Sequence, residues 1–291
     1  MRIAAMCVAV LFYSIHCRAQ AFKSDLTTLF AFQVHGIDDF FDRFNFKKNT
    51  RFQNFIKKNY SDYQLTRKKL ILSLFDHKSA EINLSELDTF ILQATDSIHP
   101  EFLKYRDIDW YAELRCKVFH KGKLKKLTLI LKVEKSDQNA FRWSVVSAKA
   151  DFLNYNYSKA DSIYFKQLNE KFNKDSYFNP LYFLSPVCHG LDFMNIDNVF
   201  INKGHVNDYI YKGPYSIELS RLILQIQKSE IKFVQVNSVR YHLLQINGWI
   251  LTVDNFERNE KNSGWLISRL FKASSSQKSD YLITKLNIPK S

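Results

Sequence analysis

Glycine and proline are scarce, at 7 and 5 of 291 residues. Phosphate-cradling loops need clustered glycines, and no stretch reads GxGxxG or GxxxxGK[ST], which sets aside the nucleotide folds built on them. Cysteine is scarcer still. Of the four, Cys7 and Cys17 fall in an N-terminal segment discussed below. Cys116 and Cys188 remain, enough for one disulfide at most and too few for a disulfide scaffold. The eight histidines are scattered, and HExxH, HxH and CxxC are all missing, so no metal site and no cofactor is expected. GxSxG is absent too, and no SxxK stands beside a plausible set of partners. A cysteine protease would need an accessible, activated thiol, whereas Cys116 sits on the apolar side of an alternating stretch.

No apolar run reaches the roughly 20 residues of a membrane-spanning helix. The longest, Ile3 to Ile15, is interrupted only by Ser14, follows Arg2 and leads to Arg18-Ala19-Gln20-Ala21. A basic start, a short apolar core and a small-x-small site read as a signal peptide over 1–21, cleaved after or near Ala21. The expected location is the periplasm or the cell surface. Lipidation at Cys17 is the alternative, though His16 is bulky for the residue before it. Cleavage removes two arginines and no acid, so the net charge of +13 falls by two and the mature chain stays basic.

The full sequence has 46% hydrophobic and 24% charged residues, the balance of a chain that buries a core. Residues 24–46 recur with helical spacing in one long amphipathic helix capped by Asp25, and 50–75 continue as helix. Asn83-Leu84-Ser85-Glu86 opens another, with Ser85 as its cap. At Trp110 the period changes to two. Ala112, Leu114, Cys116 and Val118 alternate with Glu113, Arg115 and Lys117, then His120-Lys121-Gly122-Lys123 turns the chain. Leu127 to Val133 and a strand from Phe141 complete an antiparallel meander with one dry and one largely cationic face. The preceding helices would cover the dry face. Residues 153–180 read as a connector carrying a helix over 159–173. Helices then return over 191–200 and 219–226, followed by strands around Val239 to Leu243, Trp249 to Val253 and Trp265 to Ile267. Asn247-Gly248 is a hairpin turn. Residues 273–291, opening Ser274-Ser275-Ser276, read as a loose tail.

The halves also match locally. The stretch from Val133 to Trp143 aligns with Phe256 to Trp265 given one deletion, and His35-Gly36-Ile37-Asp38 resembles His189-Gly190-Leu191-Asp192. The shared order predicts an α+β chain of two modules, each with N-terminal helices on its own curved antiparallel sheet, over 22–152 and 181–272. Helices followed by a bent antiparallel sheet, at this length per copy, resemble the nuclear transport factor 2-like (cystatin-like) superfamily of α+β cones. That resemblance covers most of 24–272 and implies a pocket between sheet and helices. Such proteins include ligand-binding modules, assembly domains and a few isomerases and dehydratases. Their catalytic residues map onto no matched position here.

The candidate ligand-binding residues are His35, Asp38 and Asp39, with His189 and Asp192 as counterparts. Four apart, His35 and Asp39 would share a helical face, and an acid beside a histidine can fix its tautomer for proton transfer. A surface ion pair is the plain alternative. Lysine and arginine cluster at 47–48, 57–58, 67–69 and 121–126. Export demotes nucleic acid and leaves an envelope protein, a glycan or another anionic surface as partner. The expected function is therefore an exported, non-catalytic binding or assembly protein. A small-molecule enzyme of isomerase, dehydratase or hydrolase type, using one cone pocket, is the alternative.

Overall fold

The computed structural model describes residues 28–60, 64–135, 140–155, 163, 179, 181–185, 193 and 195–290. The alternation starting at Trp110 forms the hairpin it predicts. Strands β1 (Trp110–His120) and β2 (Lys123–Lys135) pair antiparallel from Tyr111 opposite Lys132 to His120 opposite Lys123. Lys121 and Gly122 both have positive φ, at 49° and 78°, as a two-residue type I′ turn requires. Strand β3 (Phe141–Lys149) adds to β2. A second meander, β4 (Ile231–Leu243), β5 (Trp249–Phe256) and β6 (Gly264–Lys272), follows the same plan.

The meanders do not form two sheets. β1 pairs with β4 from Trp110 opposite Leu243 to His120 opposite Ile231, giving one six-stranded sheet in the order β3-β2-β1-β4-β5-β6. The physical reason is the free edge. The first strand of each meander has only one neighbour within its own meander, and joining the two satisfies both rows of backbone groups.

The chain divides into two compact units, residues 1–77 with 256–266, and residues 78–255 with 267–291. The predicted connector at 153–180 lies mostly outside the described residues, as does its helix over 159–173 apart from Ile163.

In the first unit, α1 (Ile37–Phe44) buries Ile37, Phe40, Phe41 and Phe44, the i, i+3, i+4, i+7 face of an amphipathic helix. The long helix predicted over 24–46 is broken before it. A helical turn over 28–32 ends, and Val34 pairs instead with the β5–β6 hairpin, its N–H donating to the Ser263 carbonyl and its carbonyl accepting from Trp265. Helices α2 (Arg51–Asn59) and α3 (Arg67–Ser73) are capped by Thr50 and Thr66. Phe52, Ile56 and Leu70 pack together with Phe32, Phe55 and Leu65.

In the second unit, α4 (Leu84–Ala94) is capped by Asn83, whose carboxamide oxygen accepts from the Ser85 and Glu86 amides. The cap is thus two residues earlier than predicted. Phe90 meets the Trp249 ring edge-on, and Gln93 accepts from the Trp249 indole at 2.8 Å. Trp110 and Trp143 cross at 4.7 Å in the core. After α5 (Asn198–Ile201), helix α6 (Ile217–Gln227) buries Leu219, Leu222, Ile223 and Ile226.

The C-terminal segment is no loose tail. Ser274 and Gln277 form a capping box that starts α7 (Ser275–Thr284). Lys278 donates to the Leu244 and Ile246 carbonyls, and Leu286 and Ile288 are buried with Tyr111, Ile130, Val146 and Ile250. Among the described residues, no helix is long and apolar enough to cross a membrane.

Candidate ligand-binding cleft

His35, Asp38 and Asp39 line one cleft of about 420 Å³ in the first unit, with Phe30, Phe52 and Phe55 among its walls. His189 and Asp192 lie outside the described residues. His35 and Asp39 do not share a helical face, because His35 precedes Gly36, the N-cap of α1. The His35 amide donates to the Asp39 carboxylate at 3.2 Å, while its Nε2–H donates to the Phe30 carbonyl at 2.7 Å. Asp39 belongs instead to Arg43, one turn on. Arg43 Nε and Nη2 reach the two carboxylate oxygens at 3.0 and 2.8 Å, and the guanidinium also donates to the carbonyls of Phe32 and Gln33. Only 3% of this side chain is exposed, and it lies 4.2 Å over the Phe52 ring. The pair fixes the break between the 28–32 turn and α1.

Two charges on the cleft are committed to no ion pair among the described residues. Asp38 is exposed in the first turn of α1, and Arg51 opens α2 with its guanidinium 5.0 Å over the Phe30 ring. Asp42, also on the wall, pairs with Lys47 at 3.1 Å. An apolar hollow with one free acid and one free base on its lining suits an amphipathic ligand carrying both charges.

No family model, curated protein or solved structure matches this chain.

A second constellation, not anticipated from the sequence, stands in the second unit on the sheet face that carries Tyr111, Glu113 and Arg115. His242 on β4 is opposite Tyr111 on β1, so it and Glu113 share this face. Its Nδ1 accepts from the Tyr281 hydroxyl at 2.8 Å, and its Nε2 donates to Glu113 at 3.3 Å. Burial depresses the His242 pKa, which favours the neutral ring that this donor and acceptor pattern uses, while Glu113 opposes the shift. Burial would raise the Glu113 pKa, yet the hydrogen bond from His242 and the neighbouring Arg115 outweigh it and bring the carboxyl down to about 2. Burial, with Glu113 nearby, pushes the Tyr281 phenol up to about 12. Arg240 and Asp254 pair beside them at 2.8 Å, and Asp254 accepts from Ser268. The face is therefore mixed in charge rather than largely cationic. Alternation marks Glu113 and His242 as polar-side positions; their meeting depends on the β1–β4 register, which no local pattern encodes.

Cys116 is a free, buried thiol whose pKa burial pushes up to about 12. Its suggested disulfide partner, Cys188, lies outside the described residues. Among those residues no group of three His, Cys, Asp or Glu side chains is placed to hold a metal.

Proposed function

We propose that the chain is an exported, non-catalytic binding or assembly protein of the bacterial cell envelope. Its two meanders are copies of one α+β module of the nuclear transport factor 2-like kind, fused edge to edge. The repeated strand order, with Trp143 and Trp265 each close to the start of the third strand of its meander, supports the duplication. The N-terminal apolar run and the Ala19-Gln20-Ala21 site support export.

One observation carries the binding reading. The groups of the cleft that would move protons are tied to the fold, Asp39 by Arg43 and His35 by the Phe30 carbonyl, while Asp38 and Arg51 remain to hold a ligand against phenylalanine walls. Nuclear magnetic resonance titration of the mature protein with amino acids, short peptides and uronate saccharides tests it. Saturable shifts confined to the cleft and lost in Arg51→Gln are expected. Turnover of any of these compounds would replace this reading with the enzyme one. That second reading has its own support in the neutral His242 held between Tyr281 and Glu113, a geometry suited to proton relay.

A further inference from the structure

β4 is paired with β1 over its length but with β5 only from Arg240 to Leu243. On its outer side the stretch Lys232 to Ser238 makes no backbone hydrogen bond among the described residues. β2 also overruns its neighbour, since β3 joins only from Thr128 onward. These two edges, open among the described residues, differ in chemistry. The β2 overhang carries Lys123, Lys125 and Lys126, charges that discourage a further strand. The β4 overhang reads Ile-Lys-Phe-Val-Gln-Val-Asn-Ser, with Lys232 its one charge.

A groove of about 1140 Å³ runs beside this edge. Phe200 and Phe233 stack in it at 5.2 Å, and Ile201 and Val234 line it with 63% and 40% of their surfaces exposed. Val234 and Asn237 fall where the β1–β4 register slips, so β4 bulges there. A bulge turns side chains away from the regular pleat and shortens the ladder open to a newcomer. An added strand would thus be short and held by side chains as much as by backbone. Lys203 and Lys232 outnumber Asp197, the one acid on the described lining of the groove, in a chain whose net charge of +13 stays positive after the expected cleavage. Like charge disfavours a second copy of this chain and favours an acidic occupant.

We propose that the β4 edge and its groove receive an extended segment of a partner polypeptide, with apolar side chains at alternate positions and acidic residues at its ends. Unpaired strand groups recognise extended backbone, the apolar walls take every second side chain, and the lysines fix the ends.

The test uses the full mature chain and two synthetic peptides, an alternating Val-Thr segment flanked by Glu pairs and the same segment flanked by Lys pairs. Slowed hydrogen exchange at the amides of 232–236 on adding the Glu peptide, with binding about tenfold tighter than for the Lys peptide, is expected. Val234→Lys should weaken binding without changing Tm. Joint Lys203→Glu and Lys232→Glu should reverse the preference between peptides. Equal affinities, no protection of 232–236, or protection already complete without peptide would overturn the proposal. A dimer in light scattering that Val234→Lys dissolves would overturn it in favour of a second copy.

Discussion

The guanidinium of Arg258 grips the carboxylate of Asp76 through two hydrogen bonds, at 2.6 and 3.1 Å. Arg258 lies in the loop between β5 and β6, and Asp76 follows α3 at 5% exposure. Nearby, Asn262 accepts from the His77 amide and donates to the Phe75 carbonyl. Within the first unit these side chains hold the hairpin loop to the end of the helices. Arg258→Met would remove two charge-assisted hydrogen bonds from a buried carboxylate and should cost about 3 kcal/mol in urea unfolding. Adding Asp76→Asn should recover part of that loss. Equal losses in the single and double variants would deny the pair its role.

Gly264 tests a second contact of the same loop. Its φ is +86°, and a Cβ there would lie 2.1 Å from the Val34 carbonyl oxygen. Gly122, at φ +78°, has nothing within 4 Å of the same position. Gly122→Ala should therefore cost only the left-handed backbone strain, about 1 kcal/mol. Gly264→Ala adds a backbone collision and should cost at least about 2 kcal/mol more. Thermal unfolding of the two variants distinguishes them, and similar Tm values would mean that the Val34 strand contact is dispensable.

These residues show what local patterns can and cannot disclose. The β1–β2 hairpin was readable because alternation from Ala112 to Val118 and the Lys121-Gly122 turn are both short-range signals. The joining of β1 to β4 was not, because either edge strand could have paired elsewhere without altering its own pattern. At the cleft, the sequence marks His35, Asp38 and Asp39 as polar neighbours, and all three are among its lining residues. The i, i+4 spacing of Asp39 and Arg43 was equally visible, and Arg43 proves the stronger partner because a guanidinium offers two parallel donors to one carboxylate. The triple serine at 274–276 suggested a loose chain by composition, whereas Ser274 with Gln277 is a helix-start signature by position.

Ser274 accordingly makes a third prediction. Its hydroxyl accepts from the Gln277 amide, and the Gln277 side chain accepts from the Ser274 amide. Ser274→Ala should destabilise α7 by about 1 kcal/mol, and Ser274→Asp should retain most of the stability. Hydrogen exchange of the α7 amides would report the change. Uniformly fast exchange in the wild type would mean that the helix does not persist in solution.

The acid behaviour of the second unit follows from His242 and Glu113, which are hydrogen-bonded to each other. The His242 pKa is depressed in the fold by burial, opposed by Glu113, from an ordinary value of 6.5. Below about pH 6.5 the unfolded chain takes up a proton that the folded one refuses, so stability falls as pH drops, with a slope of at most about 1.4 kcal/mol per pH unit for one proton. Glu113 acts lower down. Its carboxyl is held at about 2 against an ordinary 4.5, so its contribution is complete above pH 4.5 and disappears as pH falls toward 2. Urea unfolding between pH 8 and pH 3 should show both losses. His242→Gln should flatten the upper window and leave a slope below pH 4.5, whereas Glu113→Gln should weaken the lower one. A wild-type curve level between pH 6.5 and 5 would place the imidazole in water, outside the Tyr281 and Glu113 contacts.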